Sequence, residues 1–120
     1  MKILFVLKEK DHNLIENINR SIKDFPIKAS FAWKNKLSKS LFQNKDIIIS
    51  LGGDGTFLSA SHFIDDQEIL GINLDKNKSE GALTSANYED FNIQLIKLMS
   101  KNYKTQEYTR EKIIIYKKNK

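Results

Sequence analysis

The chain of 120 residues contains no cysteine, which excludes disulfide cross-links, thiolate metal sites and cysteine nucleophiles together. Proline occurs once, at Pro26, and glycine only five times, so there is no Pro- or Gly-rich linker, no low-complexity tract and no repeat. No apolar run approaches the length of a membrane span. Ile3-Leu4-Phe5-Val6-Leu7 follows Met1-Lys2 directly, is too short for the apolar part of a signal peptide and leads into charges instead of a small-residue cleavage site. The two histidines, His12 and His62, lack the paired spacing of metal ligands, so no metal-ligating residue is assigned. These absences leave a cytoplasmic protein with no membrane partner as the expectation.

What is present suits one globular domain: 40% hydrophobic and 29% charged residues, in a chain long enough to bury about two-thirds of its unfolded surface. The net charge of +5 would suit a polyanion. Lys34, Lys36, Lys39 and Lys45 lie between two predicted strands, however, and Lys117, Lys118 and Lys120 form a tail, so the charge is spread and does not form the stripe of a nucleic-acid binder. Lysines near a phosphate site would still steer anionic ligands toward it.

Periodicity gives an α/β architecture. Lys2 to Leu7 reads as a buried strand, and Leu14, Ile15, Ile18 and Ile22 recur on one face of a helix whose Asn13 and Glu16 have capping-box spacing. Pro26 closes the helical region; Lys28 to Trp33, with Phe31 and Trp33 read as core, forms a second strand, and Asp46 to Leu51 a third, apolar on both faces as a central parallel strand must be. Thr56 to Phe63 is expected as a helix, Glu68 to Ile72 as a strand ending at Asn73, and Tyr88 to Lys101 as a helix capped by Asn87, with Phe91, Leu95, Leu98 and Met99 on its inner face. Ile113 to Tyr116 reads as a strand without a partner in this domain, which would leave an open edge.

Three of the five glycines surround one carboxylate in Gly52-Gly53-Asp54-Gly55-Thr56, at the end of the apolar strand. Such a turn, expected here at positive φ, brings backbone amides close to an anion, and the following helix presents its own free N–H groups to it. A bare carboxylate beside phosphates is repelled unless it shares a cation or takes a proton from a hydroxyl nucleophile. Both alternatives point to phosphoryl transfer. The spacing is not that of a P-loop, because no Lys follows at the required place, nor of G-x-G-x-x-G, because Leu58 stands where the third glycine belongs. A plain strand-to-helix turn needs fewer glycines.

Gly52-Gly53-Asp54-Gly55-Thr56 resembles the signature shared by NAD kinases, diacylglycerol-type lipid kinases and 6-phosphofructokinases. Gly71-Ile72-Asn73 followed by Gly81-Ala82-Leu83-Thr84 resembles the NAD kinase pattern in particular, and no G-T-x-N-D element of the lipid kinases is present. Within that pattern the loop from Leu74 to Glu80 is long and carries Asp75 in place of a glycine, and Ala82 replaces an aromatic residue.

The resemblance implies an open, mostly parallel Rossmann-like sheet with helices on both faces: an N-terminal α/β domain over residues 1–110, with residues 111–120 starting a strand that leads into a β-rich domain absent from this sequence. It implies transfer of the γ-phosphoryl of ATP, or of polyphosphate in some relatives, to the 2′-hydroxyl of the adenosine ribose of NAD, with Mg²⁺ or another divalent cation. Asp54 would be the catalytic proton acceptor, and Gly52, Gly53, Asp54, Gly55, Thr56, Asn73 and Ser59 would bind the nucleotides. Thr56 could equally cap the helix, Asn73 its own turn, and Ser59 could face solvent. A homo-oligomer is implied, together with inactivity of these 120 residues alone. The alternatives are a lipid or sugar kinase of the same superfamily and a non-catalytic nucleotide-binding module.

Overall fold

The computed structural model describes residues 1–74, 86–108 and 111–115. Strand β1 (Lys2–Leu7) leads to helix α1 (His12–Ile22), strand β2 (Lys28–Trp33), a 3-10 turn (Lys34–Lys36), the short helix α2 (Lys39–Phe42) and strand β3 (Ile47–Gly52). Helix α3 (Asp54–Ser61), strand β4 (Glu68–Asn73), the two-residue strand β5 (Ala86–Asn87), a 3-10 turn (Tyr88–Asp90), helix α4 (Phe91–Met99) and strands β6 (Lys104–Tyr108) and β7 (Glu111–Ile115) follow. The strands form one sheet in the order β2-β1-β3-β4-β7-β6, with β5 beside the end of β4. All neighbours run parallel except β6 against β7.

The central strands are apolar on both sides because both sides are covered. Ile3, Phe5 and Leu7 with Ile47, Ile49 and Leu51 point to one face, where Ile18 and Ile22 of α1 and Phe91, Leu95 and Leu98 of α4 bury them. Leu4, Val6, Ile48 and Ile69 point to the other, against Phe42 of α2 and Phe57 and Ala60 of α3. Phe5 stacks on Phe31 of β2 and meets Phe91 edge-on. The connection from β1 to β2 therefore crosses one face and the connection from β3 to β4 the other. Chain progression reverses between β1 and β3, which in an open parallel sheet marks the ligand crevice at the carboxyl ends of these two strands.

Four expectations are corrected. The cap of α1 is Asp11, whose carboxylate accepts from the Leu14 amide at 3.1 Å, in place of the Asn13 and Glu16 pair. Asn87 precedes a 3-10 turn and makes no side-chain cap; α4 begins only at Phe91. Strand β7 has partners within this domain: it lies parallel to β4, Ile69 facing Ile113, and antiparallel to the polar β6, which periodicity does not reveal. Ile114 is fully buried in the core. Strands β2 and β6 therefore form the outer edges of the described sheet.

Candidate active site

The glycine loop stands at the carboxyl end of β3, beside the point where the strand order reverses. Its three glycines have different tasks. A Cβ on Gly52 would stand 2.6 Å from Thr56 Oγ1, so the absence of a side chain lets the buried Thr56 pack against the strand end. Gly52 has φ 159°, close to extended, and is the only glycine with positive φ among the described residues; space decides its identity. Gly53 is an extended N-cap, and a Cβ there meets nothing within 4 Å. Gly55 lies in the first turn of α3, where a Cβ would approach only Lys34 Nζ, at 3.2 Å. The expectation of positive φ throughout the loop is corrected: the fold itself has room for side chains at Gly53 and Gly55, so their smallness leaves a cradle open for something outside the chain.

Asp54 is the first residue of α3, and no side chain caps that helix. Its first amides keep their donors free for an anion. Asp54 does not act as the cap; its Oδ1 is buried without a hydrogen-bond partner. A carboxylate oxygen shielded from water and left unpaired is a strong acceptor awaiting a proton or a cation. Thr56 is buried in the same turn and is not the cap either. Ser59 is half-buried and donates to the Gly55 carbonyl at 3.0 Å, one turn back on its own helix.

Asn73 reaches the same edge. It lies opposite Gly52 across β3 and β4, and the Leu74 amide bonds the Gly52 carbonyl at 3.3 Å. Asn87 of β5 sits opposite Asn73, a neighbour that sequence reading did not single out, since a two-residue strand carries no periodicity. The elements Gly81-Ala82-Leu83-Thr84 and Asp75 lie outside the described residues. Among the described residues no three His, Cys, Asp or Glu side chains converge on a metal position, and no helix is long and apolar enough to cross a membrane.

The basic residues after β1 and β2 are arranged more locally than their spacing suggests. Lys10 lies 5.7 Å from the ring centroid of Trp33, which is only half-buried at the strand end, so Trp33 is no plain core residue. Lys34 is on the α3 side, over Gly55. Cavities of about 860 Å³ and 270 Å³ open elsewhere: the first, beside Met1, Pro26 and Asp46, is at the amino end of the sheet, and both share Asp66 and Gln67. Neither is lined by a residue of the glycine loop.

Residues 3–103 match the family described as ATP-NAD kinase N-terminal domain. An NAD kinase of Clostridium botulinum (strain Eklund 17B / Type B) is 37% identical over 108 residues, covering 88% of this chain and 34% of that protein. An NADH kinase of Arabidopsis thaliana is 33% identical over 95 residues, 66% of this chain and 30% of that protein. The crystal structure of an NAD kinase from Archaeoglobus fulgidus in complex with ATP superimposes with a TM-score of 0.70 at 29% identity, covering 90% of this chain and 40% of that one. The chain thus spans about a third of the length of the curated relatives it matches.

Proposed function

Since the chain belongs to the NAD kinase family, we propose that the protein carrying it transfers the γ-phosphoryl of ATP to the 2′-hydroxyl of the adenosine ribose of NAD. The observation that carries this reading is the buried, unpartnered Asp54 Oδ1 beside an uncapped helix start and two glycines that the fold does not itself require. In the reaction the ribose oxygen forms a bond to the γ phosphorus while the bond from that phosphorus to ADP breaks. The hydroxyl proton passes to Asp54. Positioning and charge stabilisation supply most of the rate, with the base contributing on the order of a hundredfold to ten-thousandfold.

The backbone of Gly53 and Gly55 would approach the nucleotide, while Gly52 and Thr56 hold the shape of the turn. Asn73 would hydrogen-bond the ligand from the neighbouring strand end, and Ser59 would line the phosphate side. A magnesium ion fits this donor set as one held by the nucleotide phosphates with at most Asp54, and it would neutralise their charge. A cytoplasmic homo-oligomer, and a β-rich domain beyond this α/β domain, whose own sheet includes β7 (Glu111–Ile115), belong to the same proposal. The test is NADP formation by the full-length protein given NAD, ATP and Mg²⁺, with diacylglycerol offered in parallel. NADP with no lipid product is expected; phosphorylation of the lipid alone, or nucleotide binding without turnover, would overturn the reading.

A further inference from the structure

We infer that Lys34 is the cation that closes the phosphate cradle, holding a phosphate oxygen of the nucleotide seated over Gly55. The inference rests on the nucleotide-kinase reading above. Lys34 starts the 3-10 turn after β2, and the sheet order β2-β1-β3 brings it across to the glycine loop, with its ammonium 3.2 Å from the position a Gly55 Cβ would take. Folding alone gives no reason for this placement. The start of α3 carries the positive end of the helix dipole, where a lysine is unfavourable unless an anion is present. Among the described residues no hydrogen bond or ion pair engages Lys34, and Asp54 Oδ1 is also unpaired.

Asp54 is the chain's own anion in that turn, but no ion pair joins it to Lys34, so the phosphate that Lys34 would hold comes from outside the chain. Helix α3, Asp-Gly-Thr-Phe-Leu-Ser-Ala-Ser, has no basic residue of its own, and Ser59 is committed to the Gly55 carbonyl. Lys10 lies over the Trp33 ring. Lys34 is left to supply charge at the cradle. A lysine acts here as a mobile point charge, so a small residue at position 55 keeps both the ammonium and a phosphate within reach.

The test uses Lys34→Ala, Lys34→Arg and, as a control on the same turn, Lys36→Ala in the full-length protein. KM is measured for NAD and for ATP with the other saturating, and pyrophosphate affinity is measured by calorimetry. Lys34→Ala is expected to raise KM for one nucleotide roughly tenfold, the scale of one hydrogen bond to a charged group, and to weaken pyrophosphate binding similarly. The nucleotide whose KM moves identifies whose phosphate is held. Lys34→Arg should recover most of the loss, Lys36→Ala should match the parent, and thermal midpoints should coincide because Lys34 is exposed. Failure of the parent to make NADP would sink the kinase reading, and pyrophosphate affinity would then judge Lys34 by itself. A parent that turns over, with unchanged KM for both nucleotides in Lys34→Ala, overturns the role of Lys34 and leaves the kinase reading intact.

Discussion

The three glycines of one loop are held to their identity by different causes, and substitution should separate them. Gly52→Ala forces a methyl against the buried Thr56 and should cost about 1–3 kcal/mol in urea unfolding, the usual penalty of overpacking. Gly53→Ala meets open space and Gly55→Ala only the flexible end of Lys34, which can give way, so both should stay within about 0.5 kcal/mol of the parent while weakening nucleotide binding. Equal destabilisation at all three positions would mean that the fold, not a ligand, demands them. Asp54 was legible in the sequence as the one carboxylate among the glycines. The division of labour among those glycines was not, because spacing does not report φ or which side chain a Cβ would strike. Lys34 was legible only as one of several scattered lysines; its place over Gly55 comes from β1 lying between β2 and β3.

At the scale of elements, strands with apolar residues on both faces announced themselves, and β1, β2, β3 and β4 stand within a residue of where periodicity puts them. The elements it missed are short or polar: α2 has four residues, β5 has two, and β6 reads Lys-Thr-Gln-Glu-Tyr with no apolar alternation. Their positions follow from partners distant in sequence. Two local contacts can be tested. Asp11→Ala should cost about 1 kcal/mol through loss of the α1 cap, read from the shift in urea midpoint. The Tyr103 hydroxyl donates to Glu68 at 2.6 Å, tying the segment before β6 to the start of β4. Burial first, then this hydrogen bond and the Glu68 charge, push the Tyr103 hydroxyl up to about 12 from 10.0. Because the folded value is raised, the contribution is whole below pH 10 and is lost as pH rises through about 12. Tyr103→Phe should lose about 1 kcal/mol at neutral pH and show a smaller alkaline decline over that window. An identical decline in the variant would assign it to other groups.

For the whole molecule, the doubly wound order sets the place of the chemistry: chain reversal between β1 and β3 opens the carboxyl edge, and Gly52, Asn73 and Asn87 line up along it. The matched relatives are much longer than this chain, so residues 1–120 expressed alone are expected to bind NAD weakly and to form no NADP, since few contacts offset the cost of ordering a dinucleotide. Turnover by that fragment would make it a self-sufficient kinase. In the proposed reaction Asp54 takes the proton from the attacking hydroxyl, and steady-state and binding analysis of Asp54→Asn in the full-length protein tests this most directly. The substitution keeps the shape and removes the base, so kcat should fall at least about a hundredfold while NAD still binds. A kcat near that of the parent would contradict the assignment of Asp54 as the base.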